Sequence, residues 1–289
     1  MIHSIMKYIR FSFIVLLTLS FFSCAKTLTD EDEFTLSNNG KNLDIYIPKG
    51  VSLEKMTESI NIYKVESMTI SGHIGGQNLA FIRTLCGADD PDFLGGSNLK
   101  NLNMKNCWFS SDDVVYYNRN GLKLTIERGL PAYAFENCYT LNSITLPDSF
   151  TPYTINKGAF SECILLNQII WGSHVRKIEE DAFYNCSSMA IKEALILPEG
   201  LKDIGDRAFK KTIPSEVDLP SSIESIGAEA FSPILKNVTI RAAVPPVIAD
   251  DSFIFHINSD RILYVPKKSL NLYKIEPYIS IFDEIIPFD

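Results

Sequence analysis

One dipeptide keeps returning along the middle of the chain: Ala134-Phe135, Ala159-Phe160, Ala182-Phe183, Ala208-Phe209 and Ala230-Phe231. Successive copies of its Phe lie 25, 23, 26 and 22 residues apart, within the roughly 20–29 residue period of solenoids that spend about one strand and one turn on each coil. An aliphatic residue stands four positions before every Ala, as Leu130, Ile155, Ile178, Ile204 and Ile226. Three positions after the Phe come Cys138, Cys163 and Cys186, with Thr212 and Ile234 in the last two units. No single unit can bury its Phe and aliphatic residue alone, so the units must stack, with equivalent side chains forming ladders from coil to coil.

Between the dipeptides the apolar residues alternate. Leu141, Ile144 and Leu146 are followed a unit later by Leu166, Ile169 and Trp171, then by Leu195 and Leu197, Val217 and Leu219, and Val238 and Ile240. A period of two over so few residues predicts a short half-buried strand rather than a helix. Three of these strands stop at Pro147, Pro198 and Pro220, where a missing amide hydrogen ends the ladder. Prolines and β-branched residues inside each unit also argue against paired long helices. Each unit therefore reads as a strand, a Pro-containing turn, an aliphatic residue and a tight Ala-Phe turn.

These motifs resemble the BspA-type leucine-rich repeats of bacterial surface proteins, whose units have the form I-x-x-I-G-x-x-A-F-x-x-C-x-x-L-x-x-I-x-L-P. Ile204-Gly205-Asp206-Arg207-Ala208-Phe209 and Ile226-Gly227-Ala228-Glu229-Ala230-Phe231 follow that form closely. The resemblance implies a β-rich leucine-rich repeat solenoid, with short strands joined by turns or short helical turns. It places the regular repeats at 130–240, a divergent N-terminal capping region at 43–129 and a C-terminal capping repeat at 241–289. Two departures bear on strand boundaries: the fourth unit lacks the Cys and the Leu, and Pro198 follows Cys186 by 12 residues where Pro147 follows Cys138 by 9.

The N-terminus carries a second signal. Lys7 and Arg10 precede an apolar stretch from Phe11 to Phe22, and Ser23-Cys24 follows. A basic segment, a short apolar segment and a small residue at the cut describe a secretory signal over 1–23. Placing Cys directly after the small residue resembles a bacterial lipoprotein signal, which makes Cys24 the lipidated first residue of the mature chain. The alternative is an uncleaved anchor, although the apolar run falls short of the ~20 residues that cross a bilayer. Residues 24–42, with the run Asp30-Glu31-Asp32-Glu33, read as an acidic tether, and the acidic run resembles the export signals of Bacteroidetes lipoproteins. The expected location is the outer membrane, exposed at the cell surface.

The formal charge of −8 becomes −10 once Lys7 and Arg10 leave with the signal, which disfavours nucleic acid and anionic lipid as partners. With Cys24 assigned to lipid, five cysteines remain. Stacking aligns Cys138, Cys163 and Cys186, and they either bridge neighbouring coils or stay as buried thiols. Free Cys behaves as a small buried hydrophobe, which favours the second outcome. Cys86 and Cys107 share the N-terminal region, and the sequence leaves their pairing open.

Catalytic and metal motifs are not found. The histidines His3, His73, His174 and His256 are scattered, with no H-E-x-x-H, G-x-S-x-G or phosphate-cradling Gly-rich loop. His73 lies in Ser71-Gly72-His73-Ile74-Gly75-Gly76, which by its glycines reads as a turn. Asp89-Asp90-Pro91-Asp92 lacks the Gly and distal Glu of a calcium loop. No catalytic residue, cofactor or metal site is therefore expected.

What remains is the outward side of the strands: Ser143, Thr145, Gln168, Ile170, Ala194, Ile196, Glu216, Asp218, Asn237 and Thr239. This column is small and polar, with two aliphatics and no aromatic, and it suits a protein partner better than a sugar. The resemblance implies adhesion to an extracellular or cell-surface protein. The alternative is an accessory or structural subunit of an outer-membrane nutrient-capture complex.

Overall fold

The structure, a computed structural model, describes residues 34–88, 96–126, 129–148, 151–189, 194–212, 214–231, 235–249, 251–253 and 261–289. The signal with Cys24, the acidic run, Asp89–Asp92 and His256 lie outside the described residues. Among those described, no helix is long and apolar enough to cross a membrane.

The alternating segments form the outer strands of a stacked coil. β1 (Phe34–Ser37), β2 (Asn42–Ile47), β3 (Ser67–Ile74), β4 (Asn101–Phe109), β7 (Ser143–Thr145) and β9 (Gln168–Ile170) make one sheet in that order. All neighbours in it run parallel except β1, which pairs antiparallel with β2. Parallel pairing follows from the repeat, because each coil returns the chain to its starting side before the next strand begins. The later outer strands form a second sheet, in the order β11 (Leu195–Ile196), β13 (Glu216–Leu219), β15 (Asn237–Ile240), β17 (Ile262–Pro266) and β18 (Glu284–Phe288). A hairpin of β5 (Val115–Arg119) and β6 (Leu122–Thr125) stands apart from both.

The aliphatic position four before each Ala belongs to a third sheet. β8 (Tyr153–Ile155), β10 (Val175–Ile178), β12 (Asp203–Ile204), β14 (Ser225–Ile226) and β16 (Val247–Ile248) run parallel across the back of the repeats. Ile155, Ile178, Ile204 and Ile226 end four of these strands, and all are buried. Leu130 joins the row through a bridge to Ile155.

Between the front and back strands lies the Phe stack. Phe135, Phe160, Phe183, Phe209, Phe231 and Phe253 follow one another with ring centroids 5.1–5.5 Å apart and planes within 4–7° of parallel. The sixth member is preceded by Ser252 instead of Ala, with Ile248 four residues before that Ser. Phe135, Phe160, Phe183 and Phe209 each donate their backbone N–H to the Ala carbonyl of the next coil, at 2.7–2.8 Å. The Ala at this position is fully buried in every unit, which leaves no room for a larger side chain.

The turn comes with backbone strain. The residue before each Ala has positive φ: Tyr133 (55°), Gly158 (60°), Asp181 (57°), Arg207 (55°) and Glu229 (50°). A second left-handed residue follows two positions after the Phe, at Asn137 (62°), Glu162 (64°), Asn185 (57°) and Lys211 (62°). Left-handed backbone costs a non-glycine residue ~1–2 kcal/mol. Burial of one Phe contributes ~1.5–3 kcal/mol, and each ring contact in the stack adds ~0.5–1.5 kcal/mol. The stack therefore holds its own turns in a conformation that the local sequence disfavours. Coil spacing is equally tight at Gly205 and Gly227, where an added Cβ would come within 2.6 Å of the backbone nitrogens of Glu180 and Asp206 respectively.

The cysteines take the buried-thiol outcome: Cys86, Cys107, Cys138, Cys163 and Cys186 are buried and free of disulfides. Cys163 Sγ donates to the Phe135 carbonyl at 2.9 Å and Cys186 Sγ to the Phe160 carbonyl at 3.1 Å, each tying its coil to the one before. Burial pushes the Cys163 and Cys186 thiols well up from their ordinary range, and Cys107 up to about 12.

Two expectations need correction. The tether does not extend to residue 42, because β1 pairs with β2 and Phe34 packs against the core. His73 is not in a turn but on β3, where Gly72 lets the strand pass close to the backbone of Ile47. The front strands divide between two sheets, the first ending at β9 and the second beginning at β11.

Short helices close the ends. α1 (Leu53–Met56) and α2 (Gly76–Leu85) precede the repeats, and α3 (Leu270–Tyr273) follows them. Arg83 of α2 donates from Nη1 to the carbonyls of Tyr133 (2.8 Å) and Ala134 (3.1 Å), at the first Ala-Phe turn. At the other end Phe282 meets Phe253 edge-on at 6.0 Å, terminating the stack.

Candidate binding face

The outward rows of the front sheets contain nine of the ten sequence-identified positions, and none of the ten is buried. Asn101, Ser143 and Gln168 share one row of the first sheet, and Asn103, Thr145 and Ile170 share the next. Ser143 Oγ donates to Asn101 Oδ1 at 2.7 Å, and Asn101 Nδ2 donates to Ser67 Oγ at 3.0 Å, so the first row is a hydrogen-bonded polar ladder. In the second sheet Glu216 pairs with Asn237, and Ile196, Asp218 and Thr239 form a row. Asn237 Nδ2 donates to Glu216 Oε1 at 2.9 Å. Ala194 is the exception, since it lies just before β11 and outside the ladder.

The break between β9 and β11 gives the repeat rows of this face an apolar feature. Ile170 is 53% exposed and Ile196 64%, and they flank a groove of about 750 Å³ together with Trp171, Pro198, Asp218 and Arg241. Trp171 crosses the break: its Nε1 donates to the Ile196 carbonyl at 3.0 Å, and its ring meets Phe183 edge-on at 5.7 Å. Arg241 binds Asp218 through both carboxylate oxygens, at 2.7 and 2.6 Å, which raises the Arg241 guanidinium further above its ordinary value. Glu199 also lines the groove, so its charge is net negative.

Aromatic side chains join the face where the sequence pattern did not place them. β2, β3 and β4 continue the same sheet beyond the repeats, and they carry Tyr46 and Trp108, each 50% exposed. Trp108 is the strand neighbour of His73, with rings edge-to-face at 4.7 Å. Its Nε1 lies 2.7 Å from Nδ1 and 3.0 Å from Nε2 of that imidazole. Ser110 Oγ is 2.9 Å from His73 Nδ1 and helps fix the ring. The ten-residue column itself carries no aromatic, and Tyr46 and Trp108 extend the face beyond it. Alternation from Leu102 and Met104 alone would turn Trp108 inward; the register shift against β3 between Asn103 and Asn106 puts Cys107 inward and Trp108 outward.

One cluster brings together the residue types of hydrolytic chemistry. Ser173 Oγ donates to Asp148 and also lies 2.8 Å from His174 Nδ1. The hydroxyl thus sits between carboxylate and imidazole, whereas activation of a serine requires the imidazole in the middle. Hydrogen bonds from the Ser173 hydroxyl and backbone hold the Asp148 carboxyl below its ordinary range. Among the described residues no group of three or more His, Cys, Asp or Glu is placed to hold a metal ion.

Residues 129–254 match the family described as BspA type leucine rich repeat region, in 6 copies. No curated protein matches the chain. Among solved structures, the pneumococcal vaccine antigen PcpA is similar at 15% identity and a TM-score of 0.44, over 85% of this chain and 68% of its own. The Treponema pallidum leucine-rich repeat protein is similar at 17% identity and a TM-score of 0.38, over 91% and 83%. A leucine-rich repeat protein from Bacteroides ovatus is similar at 16% identity and a TM-score of 0.41, over 91% and 77%. The six-coil segment with its Phe stack is a BspA-type leucine-rich repeat region.

Proposed function

We propose that this chain is a lipid-anchored, surface-exposed binding protein that docks another protein on its front sheets and performs no chemistry of its own. The observation that carries the reading is the pair Ile170 and Ile196, exposed on either side of the β9–β11 groove within the otherwise small and polar column of the repeat strands. Exposed aliphatics gathered at a groove and rimmed by polar residues are the usual form of a protein contact. A strand-borne face on a stacked scaffold is also the surface that repeat proteins use for partners. Localisation rests on the N-terminal signal and on Cys24, which together support an outer-membrane lipoprotein facing outward.

The test is retention of candidate extracellular-matrix and cell-surface proteins by the full-length chain. A double variant, Ile170→Asp with Ile196→Asp, is compared with wild type after circular dichroism shows that it is folded. The expected result is capture by wild type and loss in the variant. Equal capture by both would place the contact elsewhere, and capture by neither would remove the adhesion reading.

A further inference from the structure

A second groove opens where β4 outruns its neighbour. β4 pairs with β3 as far as Phe109, but β7 pairs only with Asn101, Leu102 and Asn103. Beyond that point the Asp148 N–H reaches the Lys105 carbonyl at 2.8 Å, and the rest of β4 is left uncovered on this side by β7. The space is about 1580 Å³, lined by the end of β4, by β6, by β8 and by the turns at Pro147-Asp148 and Ser173-His174.

Its chemistry is mixed in a particular way. The formally charged lining residues are Lys105, Lys123, Asp148 and Glu179, two of each sign, so the groove does not select a strongly charged ligand. Its aromatic walls are fixed: Tyr116 donates its hydroxyl to the Ala132 carbonyl, and Tyr153 donates its own to the Pro147 carbonyl at 3.0 Å. Trp108 stands at the groove half exposed, its N–H end lying against His73. An aromatic face carries partial negative charge and attracts the slightly positive C–H bonds of a ring laid on it. Asp148 accepts from Ser173 and keeps further acceptor positions, because an ionised carboxylate has about four.

We propose that this groove binds a neutral oligosaccharide, stacked on Trp108 and hydrogen-bonded by Asp148. A polyhydroxyl ring presents an apolar C–H face and hydroxyls that donate and accept, which matches an oriented indole beside a polar, charge-balanced wall. The volume exceeds the roughly 300–1,000 Å³ of ordinary small-molecule sites, which suits several linked rings better than one. An anionic polymer would want an excess of cations, and none is present in the lining. A peptide would use the backbone edge of β4 and would not depend on the Trp108 ring. The site adjoins the Ile170–Ile196 groove, with Ser173 in the lining of both, and does not rest on the reading of that groove.

The chain has only two Trp residues, so Trp171→Phe leaves Trp108 as the sole indole. Full-length protein carrying that change, in a detergent without a sugar headgroup, is titrated with neutral glucan, xylan, mannan and chitin hexasaccharides while tryptophan emission is followed. In parallel, wild type, Trp108→Ala and Asp148→Asn are run in native gels containing the corresponding polysaccharides. The expected result is a saturable emission shift with at least one hexasaccharide, and wild-type retardation weakened about tenfold or more by Trp108→Ala, the equivalent of about 1.4 kcal/mol. Asp148→Asn is expected to weaken the same retardation. No shift at millimolar sugar together with no retardation overturns the proposal, as does retardation that Trp108→Ala leaves unchanged. Emission shifts produced by extended peptides but by none of the sugars would overturn it in favour of a β4-edge peptide site.

Discussion

Truncating the middle of the Phe stack gives the sharpest test of how the repeats hold together. Phe183 is fully buried, with Phe160 at 5.1 Å on one side, Phe209 at 5.2 Å on the other and Trp171 edge-on at 5.7 Å. Phe183→Ala removes the ring and leaves a cavity that two stacked neighbours cannot fill, for a cost of ~3–5 kcal/mol. Three ring contacts go with it, each worth ~0.5–1.5 kcal/mol beyond area, so the loss belongs at the upper end, about 5 kcal/mol. At about 2–4 °C per kcal/mol for a domain of this size, thermal unfolding should shift down by about 10–20 °C. Phe135 begins the stack, with Phe160 beside it at 5.3 Å, so Phe135→Ala should cost about 1–3 kcal/mol less than Phe183→Ala. Denaturant unfolding followed by far-UV circular dichroism measures both, and a double-mutant cycle for Phe160 and Phe183 should return a coupling of about 0.5–1.5 kcal/mol. A Phe183→Ala loss below about 1 kcal/mol, or equal losses at both positions, would show that the rings are not packed as a continuous column.

Other expectations concern spacing, acid and the anchor. Gly205→Ala forces a methyl against the Glu180 backbone and should cost about 1–3 kcal/mol in the same unfolding assay; no loss would mean that the coils can spread. Hydrogen bonds from Arg261 hold the Asp283 carboxyl at about 2, and Glu66, Asp148 and Glu180 are also held low, by Lys41 with Lys100, by Ser173 and by Lys157 with Arg207. Because the folded values are depressed, the stability that these groups lend is present above the unfolded values near about 4 and is lost as pH falls toward 2. Asp283→Asn should therefore flatten the fall in stability across that window, and a slope identical to wild type would refute the assignment. Cys24→Ala should abolish incorporation of labelled lipid and release the protein from the membrane fraction, whereas continued labelling would remove the lipoprotein reading.

The repeat was legible because its defining residues face inward. Leu130, Ile155, Ile178, Ile204 and Ile226, the buried Ala residues and the Phe column each answer to one steric requirement, so the same residue types recur. The third sheet was not legible, since strands of two residues such as β12 and β14 are too short to show alternation. Nor were the left-handed turn residues, where Tyr133, Asp181, Arg207 and Glu229 share a backbone conformation and no side-chain chemistry. The sixth coil escaped because Ser252 replaces Ala, although the 22-residue step to Phe253 and Ile248 were available in the chain. Of the candidate face, the repeat rows could be read from strand alternation. Trp108 and Tyr46 could not be reached from the repeat motif, because the strands that carry them lie outside it.

The interruption between β9 and β11 also has a mechanical meaning. Coils on either side of it are joined at the back by the β10–β12 pairing and inside by the Phe183–Phe209 contact, but at the front they share no strand ladder. A pull that separates the two halves of the solenoid therefore meets no front strand ladder at this level, where the Trp171 hydrogen bond to the Ile196 carbonyl crosses in its place. Tension should open the molecule first as a flexure about its back sheet, widening the groove beside Ile170 and Ile196 before any coil unravels, so that a load on the protein would register at the face proposed to hold its partner.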